Sequence, residues 1–342
     1  MARRFVRVAA SPAAAHRPSA TSAWRAGSLA DVGRRAVPSI ASRQEVGAVG
    51  ESEGFLGEAV ALAIDIGGTK LAAALVESTG EIHGFATART PAHGDAAQMW
   101  GALQALIDPL LARTTPDVVG VGCGGPMSAF GEHVSPLNIP AWRDFPLRSA
   151  LSGHTGLTVA VDNDAKALAL GEGRWGAAVG VDDYLAMVVS TGVGGGIVCD
   201  GALLDGASGN AGHIGHMIVE PGGRACACGA FGCLEAEVSG TAIAAITGAP
   251  ASDASIEMRE RTGRLVGRAV ASVAALLDLR LALVAGSVAL GYGEVFFEAA
   301  RTELERSARL SFVRGIEIRP AGLGDRGPIL GSAAVGLAAI GC

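Results

Sequence analysis

Apolar residues first fall into a regular pattern at Val60. The run Val60-Ala-Leu-Ala-Ile-Asp65, the pair Gly67-Gly68 and the run Leu71-Ala-Ala-Ala-Leu-Val76 predict two strands around a glycine turn. The design returns in the second half, where Tyr184–Val189 runs into the glycine-rich Ser190–Gly196 and then Ile197-Val-Cys199. Two similar strand, turn, strand units predict two related lobes facing a cleft. Between them, Met99, Leu103, Leu106 and Leu110 recur at helical spacing, Val118–Val121 reads as a buried strand, and residues 124–146 form a loop rich in Pro and Gly. Beyond residue 240 the pattern predicts a helix around 265–279, a strand over 281–285 turning at Gly286-Ser287, a helix near 294–310, a strand near 316–318 and a terminal helix near 329–340. The fold class is mixed α/β.

The first 58 residues carry no sustained period and are rich in Ala, Ser, Arg and Gly, which predicts a disordered, processed or misassigned extension. Its make-up resembles a transit peptide, but a composition with only two lysines (70 and 166) beside 25 arginines also fits a GC-rich coding sequence whose start is easily placed too early. A DNA-binding head needs two helices and a tight turn, and breaks at Pro12, Pro18, Gly27, Gly33 and Pro38 leave no room for them. At 342 residues the remainder suffices for two lobes, placed at 59–170 plus 328–342 and at 171–327.

Residues 1–43 hold eight Arg and one acid, net +7, which leaves −13 of the total −6 on the rest. An acidic body disfavours a nucleic-acid partner. Gly, Ala and charged residues interrupt the apolar stretches before any reaches the roughly 18 residues of a membrane span. The 50 glycines follow no Gly-X-Y period, which excludes collagen. Three of six cysteines crowd into Cys226, Cys228 and Cys233, unlike a small secreted disulfide scaffold; a reducing, cytoplasmic compartment and a metal knot fit better.

Four segments carry candidate chemistry. Asp65-Ile-Gly-Gly-Thr-Lys70 sets a carboxylate at a strand end beside glycines that let backbone N–H groups approach phosphate, although a plain hairpin turn has the same look. Ser190-Thr-Gly-Val-Gly-Gly-Gly196 leads into a strand where a dinucleotide turn must open a helix, so a second triphosphate clamp fits better. Asp164, before Ala165-Lys-Ala-Leu-Ala-Leu170, is either a helix N-cap or a general base for phosphoryl transfer. His213-x-x-His216 with Cys226-x-Cys228-x4-Cys233 offers more than the four N/S ligands of a closed zinc site, so one histidine is free for another task.

Asp65–Lys70, Asn163-Asp164-Ala165, Ser190–Gly196, Gly212-His-Ile-Gly-His216 and the Cys226–Glu235 segment, taken together and in this order, resemble the ROK family of sugar kinases and repressors over residues 60–342. The resemblance implies a two-lobed actin/hexokinase-like (RNase H-like) ATPase fold with an interlobe cleft. It implies ATP and Mg2+ held at Asp65, Gly67, Gly68, Thr69, Lys70, Thr191, Gly192, Gly194, Gly195 and Gly286. It places Asp164 as base on a sugar 6-hydroxyl. Asn138, Asn163, Asp164, His213, His216 and Glu235 would face the sugar, and His216, Cys226, Cys228 and Cys233 would hold a structural Zn2+. A homodimer or homotetramer is expected by the same likeness. Most glucokinases of the family have Glu where this chain has His213, and an imidazole can donate as well as accept, for example to an acyl carbonyl. The segment Ala211–His216, with Leu62–Leu75 and Val284–Val288, is similar to the family's bacterial N-acetylmannosamine kinases. The expected reaction is therefore ATP-dependent phosphorylation of that amino sugar, with glucokinase or N-acetylglucosamine kinase as alternative and a sugar-responsive repressor as the alternative of another class. Because residues 1–58 carry neither motif nor core pattern, a chain starting at Leu56 should turn over sugar as fast as the full chain, measured by coupled assay; an insoluble or inactive truncation would refute this.

Overall fold

The protein was analysed as a computed structural model, which describes residues 58–91 and 94–342; the expectation for the N-terminal extension falls, but for Glu58, outside them. Strands β1 (Val60–Ile66), β2 (Lys70–Glu77), β3 (Ile82–Arg89), β4 (Val118–Cys123) and β5 (Val159–Asn163) form a sheet in the order β3-β2-β1-β4-β5. Neighbours β1, β2 and β3 run antiparallel, while β1, β4 and β5 run parallel. The second sheet, of β6 (Tyr184–Val189), β7 (Val193–Cys199), β8 (Ala202–Leu203), β9 (Leu281–Ala285) and β10 (Glu317–Pro320), has the order β10-β9-β6-β7-β8. Its pairings repeat the same scheme, with β6, β7 and β8 antiparallel and β6, β9 and β10 parallel. The repeated hairpins seen in the sequence are thus the corresponding hairpins of two topologically equivalent sheets, the two-lobed actin/hexokinase-like architecture.

The helices are α1 (Ala96–Leu111), α2 (Leu147–Thr155), α3 (Asp164–Trp175), α4 (Leu234–Val238), α5 (Gly240–Thr247), α6 (Ile256–Leu277), α7 (Ser287–Tyr292), α8 (Glu294–Ser307) and α9 (Gly327–Ala339). Side chains alternate across β1 with period two. Val60, Leu62, Ile64 and Ile66 join a core with Met99, Leu103, Ile107 and Leu110 of α1 and Leu147 and Leu151 of α2. Ala59, Ala61 and Ala63 face the other way, onto Ile329, Leu330 and Ala333 of α9. The second sheet divides likewise, with Leu185, Met187 and Val189 packed with α6 and α8, and Tyr184 and Ala186 packed with Leu168 and Ala169 of α3.

Large side chains line the outer layers and small ones the inner, so α3 and α9, which pack on each other, approach their sheets closely. This corrects the extent of the second glycine turn. The turn is only Ser190–Gly192, and Gly194, Gly195 and Gly196 lie in β7 opposite Val188, Met187 and Ala186. A Cβ on Gly194 would lie 3.0 Å from the Ala165 Cβ, one on Gly196 2.7 Å from both the Ala169 Cβ and the Lys166 Cα, and one on Gly195 2.9 Å from Ile214. These glycines admit α3 on one face of the strand and the 214 turn on the other. At the far end of α3, fully buried Glu172 accepts the N–H groups of Ala177 (2.8 Å), Gly322 (3.0 Å) and Leu323 (2.9 Å), which ties the helix to the chain entering α9.

Three further differences have local causes. Helix α6 starts at Ile256, well before the expected 265, because Ser255 caps it. Strand β3 is half-buried along its length and so shows no alternation. Helix α2 buries only Leu147 and Leu151, too few positions to register as a period. Gly196→Ala should destabilise the protein by about 1–3 kcal/mol through overpacking against α3. Gly153→Ala, in exposed α2 with nothing near the added methyl, should stabilise it by up to about 1 kcal/mol through helix propensity. Thermal unfolding of both variants tests the packing account, and equal effects would contradict it.

Candidate active site

The C-terminal ends of parallel strands are where open α/β sheets bind ligands, because loops there diverge and helix N-termini point inward. In the first sheet these ends carry Asp65, Cys123 and Asn163, since register sets Asp65 beside Gly122 and Cys123 beside Asn163. The N-cap of α3 is Asn163, whose Oδ1 accepts the Ala165 N–H (3.0 Å). This settles one alternative left open by the sequence: Asp164 is not the cap but the first helical residue. Its Oδ1 also accepts the Ala165 N–H (2.8 Å), and the side chain reaches solvent through the cleft.

Enclosure by protein on its other sides pushes the Asp164 carboxyl above the usual carboxylate range, against the lowering effect of the Ala165 N–H and of His213. Asp65 is pushed up to about 7, mainly by burial and then by the charge of Asp164, with Lys70 pulling the other way. These two carboxyls sense each other across the site, and a cation between them would let both ionise.

The β1–β2 turn is closed by the Gly67 N–H donating to the Lys70 carbonyl (3.0 Å) and by the Thr90 hydroxyl donating to the Gly67 carbonyl (2.6 Å). The exposed ends of Thr69 and Lys70 stand free of the core. Gly68 is where Asn138 arrives, since a Cβ there would lie 2.6 Å from the Asn138 Cβ. The Asn138 loop is itself fixed by Arg143, which donates to the carbonyls of Pro136 (2.8 Å), Ile139 (2.9 Å) and Trp142 (2.8 Å).

In the second sheet the ends of β6 and β9 bring the Ser190–Gly192 turn beside Gly286, and the Ser190 and Ser287 hydroxyls bond at 3.0 Å. Gly286 has φ +99°, and a Cβ there would lie 2.4 Å from the Val189 carbonyl oxygen, so no other residue passes between the strands. Thr191 is exposed and its carbonyl accepts the Thr241 hydroxyl (3.0 Å). Gly194 and Gly195, grouped with this turn in the sequence, lie up-chain in β7 with their Cβ positions filled by protein.

Glu235, in the first turn of α4, accepts the Val193 N–H (2.9 Å) and covers Gly192, where a Cβ would meet its Oε2 at 2.8 Å. His213 is exposed and donates from Nδ1 to the Asn210 carbonyl (2.9 Å). Its Nε2 points toward Gly125, which also borders the Asn163 amide. Asn163, Asp164, His213 and Gly125 therefore share one wall.

Next to it, His216, Cys226, Cys228 and Cys233 bring four ligand atoms within 4.8 Å of one another. The Cys226–His216 (Sγ to Nδ1) and Cys228–Cys233 (Sγ to Sγ) separations are both 3.7 Å, close to the roughly 3.8 Å edge of a tetrahedron with Zn–S of about 2.3 Å. His213 stays outside this group, its ring 6.2 Å from that of His216. Sequence reasoning missed Lys166, buried beneath the wall and bonded to Asp205 (2.7 Å), and Asp162, its second partner at 2.9 Å; its rarity in an arginine-rich chain was the one available signal.

Comparison with known proteins agrees with this geometry. The ROK family model matches residues 61–338. The N-acetylmannosamine kinase of Escherichia fergusonii is 38% identical over 250 residues, covering 68% of this chain and 84% of the relative. Among solved structures, the ROK hexokinase from Thermus thermophilus superposes with TM-score 0.71 at 31% identity, over 82% of this chain and 99% of that one. The ROK family glucokinase from Streptomyces griseus, in complex with glucose and AMPPNP, superposes with TM-score 0.70 at 29% identity, over 81% and 99%. With the motifs in family order, the two equivalent sheets and the shared wall of Asp164, His213 and the Cys/His cluster, the chain belongs to the ROK family.

Proposed function

We propose that the protein transfers the γ-phosphoryl group of ATP to the 6-hydroxyl of an amino sugar, N-acetylmannosamine first. The observation that carries this reading is Asp164: a carboxylate at a helix start, open to the cleft, with no cation bonded to it, is free to accept a proton. As the sugar oxygen attacks the γ-phosphorus, Asp164 takes the hydroxyl proton and the bond to the β-phosphate oxygen breaks, releasing ADP. Gly67, Gly68, Thr69 and Lys70 on one side and Thr191, Gly192 and Gly286 on the other would hold the nucleotide, with the β7 glycines Gly194 and Gly195 supporting the second turn. Mg2+, when bound, bridges phosphate oxygens and neutralises developing charge; the Asp65 carboxyl, held near neutrality by burial and by Asp164, fits a neighbouring cation.

The sugar would meet Asn138, Asn163, Asp164, His213, His216 and Glu235. Asn138 and Asn163 offer amides, and Glu235, with one oxygen engaged by Val193, keeps the other for a hydroxyl. His213 spends Nδ1–H on the Asn210 carbonyl, so its Nε2 is an acceptor when neutral and a donor only when protonated. That refines the expectation of donation to an acyl oxygen: donation requires the imidazolium, which the neighbouring Asp164 carboxylate favours. The relative from Escherichia fergusonii supports the amino-sugar assignment, and the Streptomyces griseus structure supports glucokinase as the second reading.

The Cys/His cluster fits zinc by donor type and spacing. Burial and the neighbouring thiols push Cys233 up to about 12, so three crowded thiols resist ionising together unless a cation replaces their protons. Zinc on His216, Cys226, Cys228 and Cys233 would tie the chain around residue 216 to the start of α4 and so fix Glu235, two residues past Cys233. It is a structural role.

Two experiments test this reading. A coupled assay across glucose, mannose, N-acetylglucosamine and N-acetylmannosamine should show kcat/KM highest for the last, and Asp164→Asn should lower kcat by about 10²–10⁴-fold without loss of fold. Because a protonated Asp164 cannot accept a proton, the rate should fall as pH drops, on a limb above the ordinary carboxylate value near 4. Near-normal turnover by the folded variant would contradict the assignment. Metal analysis should find one zinc per chain, and Cys228→Ser should cost both metal and sugar affinity; zinc-free protein with full activity would contradict that role.

A further inference from the structure

Lys166 breaks a local rule. It sits in the first turn of α3, where the partial positive charge of the helix N-terminus opposes a cation, and its side chain is only 3% exposed. A lysine is kept there by its partners. The ammonium has three donors and meets three acceptors: Asp162 Oδ1 at 2.9 Å, Asp205 Oδ1 at 2.7 Å and the Gly209 carbonyl at 3.3 Å. Burial lowers its pKa, but the two carboxylates outweigh this and hold it above the usual lysine value.

The three acceptors come from different places. Asp162 is at the end of β5 and also accepts the Asn163 N–H (2.7 Å), so it belongs to the strand that delivers Asn163 and Asp164. Asp205 and Gly209 belong to the loop that leaves β8 and returns at His213. This loop is closed on itself by the Ala211 N–H donating to the Asp205 carbonyl (2.9 Å). Its next residue, Asn210, is the one whose carbonyl holds His213 Nδ1. From Lys166 a continuous path of bonds therefore runs to His213, while the same lysine stands two residues from Asp164.

We propose that Lys166 is a positioning residue that clamps the 205–210 loop to the first turn of α3 and so sets His213 against Asp164 for the sugar. Asp205 is the removable half of the clamp. Its carboxylate is 64% exposed, so without Lys166 nothing of the core holds the loop down. The clamp rests on the sugar-kinase reading for its consequence in turnover, but not for its consequence in loop motion.

The test compares wild type, Lys166→Met, Asp205→Asn and the double variant in the full chain, by amide hydrogen exchange over residues 205–213 and by steady-state kinetics. Each single variant should exchange the loop amides about tenfold faster and raise the KM for sugar about tenfold, as the competent loop becomes a minor population. The KM for ATP and the zinc content should stay at wild-type values. The double variant should be no worse than Lys166→Met, because both remove one contact. Unchanged exchange and unchanged sugar KM in Asp205→Asn would overturn the proposal, as would an equal rise in the KM for ATP or additive defects in the double variant. If Lys166→Met fails to fold, Asp205→Asn carries the decision. Should wild type phosphorylate none of the four sugars, the kinase reading falls and loop exchange alone decides the clamp.

Discussion

Everything in the site depends on how closely α3 packs. The helix lies against β7 through Gly194 and Gly196 and against α9, where a Cβ on Gly171 would meet Gly331 backbone at 3.0 Å. Side chains at these points would lift the helix away from its neighbours, and interiors at crystal-like density have no slack to absorb that. Because α3 begins at the end of β5 in one sheet and packs on β6 and β7 of the other, its first turn is fixed relative to both. Asp164 and Lys166 occupy that turn. Glu172 pins the opposite end with three backbone hydrogen bonds, so the helix has little freedom to slide.

The cation and the cluster on the second-sheet side act on the same wall from two directions. Lys166 holds the segment before His213 through Asp205 and Gly209, and the His216, Cys226, Cys228, Cys233 group gathers the segment after it. His213 stands between these anchors, near Gly125 and Asn163. An exposed residue on a short loop is thereby given a defined place without being buried.

Much of this was legible in the sequence because it was written in spacing. The hairpin at Val60–Val76, the α1 face of Met99, Leu103, Leu106 and Leu110, and β9 at 281–285 are periodic or wholly apolar, and the structure has them where the pattern does. The cysteine and histidine spacing marked a cluster that the fold assembles. What was hidden lies in contacts between distant segments. A run of glycines looks the same whether it cradles phosphate or admits a helix, so Gly194–Gly196 were grouped with the turn although their missing Cβ atoms make room for Ala165, Ala169 and Ile214. Asp164 and Asn163 compete for the cap in any local reading, and only coordinates show that Asn163 wins. Lys166 finds Asp205 39 residues away, and no local pattern announces that pair.

The central claim is that Asp164 and His213 face one sugar-binding wall, with Asp164 as the proton acceptor. A crystal structure with N-acetylmannosamine and a non-hydrolysable ATP analogue tests it most directly. The account predicts the sugar 6-hydroxyl within roughly 2.6–3.2 Å of an Asp164 carboxylate oxygen and the acyl group on the His213 side. A sugar bound with its 6-hydroxyl turned away from Asp164, or lodged outside the wall of Asn163, His213 and Glu235, would contradict it.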